Sequence, residues 1–263
     1  MKKYMKKIVQ GGPLIVETIY PITERNDLSA VRSAKSKITT IAKQASNIKR
    51  SKLQLELLIA QNFKEGDYIL TFTYDEKHLP KSGEQILNHL RYFRKKLLKS
   101  RVKAGYSKAD CIKMVWAKEH FCDHGRWHVH AILNKLDTDD LKEIAKCWIY
   151  GSIDSSRLKI NEKLNFDTLT YYMSKEWRDN PGDRIWSHTK NLKAPEVEYQ
   201  RLCDVDCPLN PPDGSLVLHS ASSENFYCFF KVIKYVLPGF WTHTSRIQPI
   251  EPFEEIIYSN SFL

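Results

Sequence analysis

The chain has 263 residues, 42% hydrophobic and 27% charged, the profile of a soluble globular protein rather than a disordered or fibrous one. No apolar run reaches the roughly 18 residues of a membrane span, and the basic start lacks the unbroken apolar stretch of about 7 to 15 residues found in a signal peptide. A cytoplasmic protein with no membrane partner is expected, and the formal charge of +10 makes nucleic acid its natural partner, because a basic surface concentrates polyanions and gains from counterion release.

The charge is unevenly placed. Residues 1–60 carry twelve Lys and Arg against four Asp and Glu, whereas residues 201–263 carry four against seven. Residues 26–58 are rich in Ala, Lys, Ser and Leu with no Pro or Gly, so residues 1–60 are expected to form a basic helical N-terminal arm. Its Lys43, Lys49, Arg50 and Lys52 are expected to contact phosphates without reading sequence. Residues 68–74, a β-branched and aromatic run, predict a strand that ends in a polar segment with Pro80. Ile86, Leu90, Phe93 and Leu97 then recur at helical spacing, which predicts a helix packed on a sheet.

Further strands are predicted at residues 113–119 and 127–133, an antiparallel pair across the turn-like residues 122–125. Leu141, Ile144 and Trp148 mark another amphipathic helix, with Asp137 or Thr138 at its N-cap. A short strand over residues 153–160 and a helix over residues 167–177 follow. This order predicts an α+β fold, a central and mainly antiparallel sheet with flanking helices. The domain spans residues 61–200. After the Pro-rich stretch 207–214, residues 201–263 read as a C-terminal appendage, whose acidic balance argues against a second DNA-binding surface. The six cysteines have no repeated spacing, and Cys203 and Cys207 lack a second ligand pair, so neither a disulfide framework nor a zinc site is indicated.

Within Gly125-Arg126-Trp127-His128-Val129-His130-Ala131-Ile132-Leu133, alternation on a strand sends His128 and His130 to one face and Trp127, Val129, Ala131 and Leu133 to the core. Two imidazoles side by side suit chelation of one divalent ion. Glu119, at the end of the preceding strand, is the third ligand, with His120 and His124 as rivals in the turn. Two histidines and a carboxylate leave positions open for phosphate oxygens. Both histidines are expected to be exposed, so that their removal leaves the fold largely intact. On the later helix, Tyr172 and Lys175 are three residues apart and Tyr171 and Lys175 four apart, so either tyrosine shares a face with the ammonium. An ammonium nearby favours the nucleophilic phenolate.

These pieces together resemble the HUH endonuclease superfamily, specifically rolling-circle replication initiators of bacterial plasmids, phages and integrative elements. The first motif is similar to Leu70-Thr71-Phe72-Thr73-Tyr74, the second to the segment around His128-Val129-His130, and the third to Tyr172-Met173-Ser174-Lys175. Asn62-Phe63 and Trp186-Ser187-His188-Thr189-Lys190-Asn191-Leu192 also look like segments of such initiators. The resemblance covers residues 25–195. It implies a ferredoxin-like or RNA-recognition-like sheet, a Mg²⁺ or Mn²⁺ cofactor, Tyr172 as nucleophile with Lys175 assisting, and a 5′-phosphotyrosyl intermediate with a free 3′-hydroxyl. Implied partners are single-stranded origin DNA and the host helicase and polymerase. Adjacent Tyr171 and Tyr172 do not match the spacing of members with two catalytic tyrosines. A relaxase or single-tyrosine transposase shares the chemistry, but here the tyrosine follows the histidines. A non-catalytic DNA-binding protein is the alternative from another class.

Overall fold

A computed structural model describes residues 3–22, 41–120, 127–159, 185–203, 207–224 and 229–238. Its elements in chain order are β1 (Lys3–Gly11), β2 (Leu14–Ile22), α1 (Ile41–Asn62), β3 (Tyr68–Tyr74), α2 (Gly83–Lys103), β4 (Met114–His120), β5 (Trp127–Leu133), α3 (Leu141–Cys147), β6 (Gly151–Arg157), β7 (Ser187–His188), β8 (Glu196–Leu202), β9 (Leu216–Glu224) and β10 (Phe229–Val236). The class is α+β, as expected. Among the described residues there are two five-stranded antiparallel sheets, ordered β6-β3-β5-β4-β7 and β8-β1-β2-β10-β9.

The first sheet is organised by alternation. Tyr68, Leu70, Phe72 and Tyr74 of β3 are buried on one face with Val129, Ala131 and Leu133 of β5, and α2 lays Ile86, Leu90, Phe93 and Leu97 against them. Each such side chain contributes about 1.5–3 kcal/mol on full burial. Ser82 caps α2, its hydroxyl oxygen accepting from the Gln85 N–H at 3.3 Å. The N-cap of α3 is Asp140, not Asp137 or Thr138, and its side chain makes no cap bond. That carboxylate instead accepts from the guanidinium of the buried Arg101 at 2.7 Å. The predicted strand at 153–160 begins earlier, at Gly151.

On the opposite face, α1 packs Leu55, Leu58, Ile59 and Phe63 over Val115, Ala117 and Ile132. It crosses this sheet obliquely. Its C-terminal end leads to Gly66, whose N–H donates to Leu158 O at 2.9 Å just past β6, one edge strand. Nearer its start, Ser51 Oγ accepts from the Trp186 indole N–H at 3.0 Å beside β7, the other edge. The segments 62–63 and 186–192 act as ties. Asn62 and Lys193 exchange two hydrogen bonds at 2.8 Å, the buried Thr189 bonds both ways with Met114, and the Asn191 amide donates to Ala109 O and Ile112 O.

The first 22 residues differ from the helical expectation. β1 and β2 form a hairpin whose turn places Gly12 at φ +57°, and a Cβ at Gly11 would stand 2.2 Å from Leu57 O, so α1 can cross the turn only over glycine. Tyr4, Ile15 and Ile19 are buried in this sheet, while Leu14, Val16 and Val236 meet Leu57 of α1 on its other face. Among the described residues of the expected arm, 41–60 are helix as part of α1, and the second half of α1 is core, lying between the two sheets. Strands β9 and β10, expected as an appendage, join the sheet through the pairing of β10 with β2, and β8 pairs with β1. The expected boundaries after residues 60 and 200 therefore fall inside α1 and β8. No helix among the described residues is long and apolar enough to cross a membrane.

Candidate functional site

The α1 side of the first sheet is apolar under the helix and polar beyond it. In the register of β3 and β5, Thr71 lies opposite His130 and Thr73 opposite His128, while β4 places Glu119 opposite His128. Paired residues of an antiparallel sheet share a face. His128, His130, Glu119 and the two threonines therefore form one patch, as the alternation of β5 predicts for the histidines. Trp127 is partly buried against the core on the other side.

Each histidine is held by a threonine on the neighbouring strand. Thr71 Oγ1 is 3.1 Å from His130 Nδ1, and Thr73 Oγ1 is 3.3 Å from His128 Nδ1. When Nδ1–H donates to a hydroxyl oxygen, the ring's lone pair lies on Nε2, the tautomer that a metal ligand needs. Thr71 and Thr73 belong to the motif Leu70-Thr71-Phe72-Thr73-Tyr74, whose sequence alone assigns them no role. Their alternation, in step with His-x-His, is the signal that identifies them.

Glu119 stands opposite His128 in the register. Its Oε2 reaches diagonally to His130 Nε2 in a direct hydrogen bond. His130 is 5% exposed and Glu119 6% exposed, so this pair is buried, contrary to the expectation of two exposed histidines; His128 is half-buried. A carboxylate and a ring nitrogen facing each other need a positive bridge. A proton serves in the hydrogen-bonded pair, and a divalent cation suits the same place. Imidazole and carboxylate together fit Mn²⁺ or Mg²⁺. Among the described residues, no three His, Cys, Asp or Glu converge as a ready-made metal-holding group. Glu119, whose Cα stands opposite His128, would have to rotate to bring its carboxylate to both histidines. His120 closes β4 opposite Trp127, whereas His124, Tyr171, Tyr172, Lys175 and the predicted helix at 167–177 lie outside the described residues.

If the threonines orient the rings, replacing either one by valine will weaken Mn²⁺ binding about 10- to 100-fold, with serine restoring it. Calorimetric titration of the DNA-free protein measures this. Valine variants that bind as tightly as the native chain would make the threonines mere packing.

A family model of replication-associated proteins of the ORF2 type matches residues 67–177. The matched segment runs from the start of β3 past β6. It contains Glu119, His128 and His130, and also Tyr171, Tyr172 and Lys175. No curated protein and no solved structure matches the chain. The segment that carries the site is thus similar to the ORF2-type family of replication-associated proteins.

Proposed function

We propose that the chain is a rolling-circle replication initiator of the HUH type, which nicks and rejoins single-stranded origin DNA. The observation that carries this reading is the patch of His128, His130 and Glu119, set in register on one sheet face inside a segment similar to replication-associated proteins. Tyr172 is the nucleophile. Its phenolic oxygen attacks the phosphorus in line, and the bond to the 3′ oxygen breaks. That oxygen takes a proton, leaving a 5′-phosphotyrosyl link and a 3′-hydroxyl for the host polymerase to extend behind a host helicase. Lys175 stabilises the phenolate or the phosphate charge. His128, His130 and Glu119 would hold a Mg²⁺ or Mn²⁺ ion, which supplies Lewis-acid polarisation of the scissile phosphate.

A relaxase or transposase would use the same chemistry. The order carboxylate, histidines, tyrosine favours replication. A non-catalytic DNA-binding protein would need neither threonine-oriented histidines nor a carboxylate against them. Relaxation of a supercoiled origin plasmid with Mn²⁺ separates the two, since an initiator nicks it and a passive binder leaves it supercoiled.

The basic turns of α1 have a separate role in this reading. Lys49 and Arg50 are exposed on the helix that crosses the site's sheet. Neutralising them together with Lys43 and Lys52 is expected to weaken binding to all DNA sequences alike and to flatten the salt dependence of affinity. An unchanged salt slope would show that this part of α1 serves another contact.

A further inference from the structure

Sorting the charges of the second sheet by face separates its cations from its carboxylates. In the second sheet, Tyr199 pairs with Lys7, Arg201 with Met5, and Met5 with Tyr20, so these side chains stand on the α1 side together with Lys3. Glu17 and Glu198 both pair with Ile8, and Glu196 with Gln10, which puts all three carboxylates on the opposite side. Side-chain contacts agree. Lys7 Nζ stands 5.6 Å from the Tyr199 ring centroid, whereas Lys6 Nζ meets Glu17 at 2.8 Å on the other face. Along β8, β1, β2 and β10 no Asp or Glu occupies the α1 side.

The helix covers only part of that side. It passes over Gly11 and Gly12 at the hairpin turn with Leu57 and Ala60, and its Glu56 meets Lys234, whose register partner is Val16. Going back along α1 from the turn toward mid-sheet, the next turns carry Lys49 and Arg50. Midway along the edge strand β8, Tyr199 is 56% exposed. Tyr20, opposite Met5, and Tyr199, opposite Lys7, flank β1 on this face, and burial raises the Tyr20 phenol above its ordinary value, with Tyr199 raising it further.

We propose that this half of the second sheet, where Lys3, Tyr199 and Arg201 are exposed, is a binding surface for single-stranded DNA, with phosphates against Lys3, Lys7 and Arg201 and bases stacked on Tyr199 and Tyr20. Aromatic rings interleaved with cations, on a face with its carboxylates turned away, match the recognition of unpaired strands, where any base can stack and the backbone supplies the charge. The proposal rests on the reading of the chain as a protein that handles single-stranded DNA. Of these residues only Arg201 belongs to the acidic segment 201–263.

Fluorescence anisotropy of the full chain with a labelled oligothymidylate, in EDTA, tests this without any nicking. Tyr199→Ala should weaken binding about tenfold or more, and Lys7→Gln should reduce the salt slope by about 0.7. Circular dichroism should not change, because Tyr199 is exposed on an edge strand. Photocrosslinking of a bromodeoxyuridine oligonucleotide should label the peptide containing Tyr199. Unchanged affinity in both variants, or equal losses on a duplex of the same length, would overturn the proposal. The outcome is independent of catalysis: a native chain that binds but never nicks refutes the initiator reading alone, and one that nicks while Tyr199→Ala binds normally refutes this surface alone.

Discussion

Replacing His128 by alanine is expected to abolish metal-dependent nicking while leaving stability close to native, and replacing His130 to abolish nicking at a measurable cost in stability. Loss of a metal that supplies several kcal/mol of transition-state stabilisation slows cleavage by about three powers of ten or more. The two variants then diverge because of burial. His128 is half-buried and bonds to Thr73, which water can satisfy in its absence. His130 is buried with Glu119 against it, so alanine strands a carboxylate in a site that is 6% exposed. An unsatisfied buried polar group costs about 1–3 kcal/mol, and more when charged. Calorimetric Mn²⁺ titration and thermal denaturation of the same samples read both effects. Native metal affinity in both variants would make the histidines structural.

Tyr172→Phe has the second large expected effect. It removes one hydroxyl, so Mn²⁺ affinity and DNA affinity should persist while cleavage and the covalent adduct disappear. A phenol has a pKa near 10 and is weakly nucleophilic at neutral pH, so under this proposal the ammonium of Lys175, three residues on in the sequence, would favour the phenolate, and Lys175→Ala should leave slow residual cleavage. Successive helical residues point about 100° apart, so Tyr171 and Tyr172 cannot both address the same phosphate from a helix. Cleavage that survives in Tyr172→Phe and vanishes in Tyr171→Phe would transfer the role.

How much of this could be read from the sequence depends on the range of the interactions. The bounds of β3 and β5 coincide with the predicted strands, and the predicted stripe of α2 is the buried one, because alternation and helical spacing are local properties with one buried face. The second sheet escaped notice for two reasons. β1 mixes lysines with apolar residues, and β8 is exposed along most of its length, so neither shows a clean alternation. Their pairing, Tyr4 with Leu202, spans nearly the whole described chain, and no local pattern encodes it. At the site, the His-x-His spacing puts both histidines on one face, and the pairing of β4 with β5 brings Glu119 to that face. The diagonal reach of Glu119 to the buried His130 was not legible, because it depends on a side-chain rotation within a fixed register.

The central claim is that a tyrosine of this chain becomes covalently joined to DNA, and the direct test is mass-spectrometric peptide mapping of a trapped adduct. The native chain is incubated with Mn²⁺ and single-stranded oligonucleotides from the element's own origin, denatured and digested. The account predicts a tryptic peptide carrying a 5′-phosphorylated nucleotide on Tyr172, absent when EDTA replaces Mn²⁺ and absent from His128→Ala. No adduct on any tyrosine, with the oligonucleotide bound and intact, would contradict it.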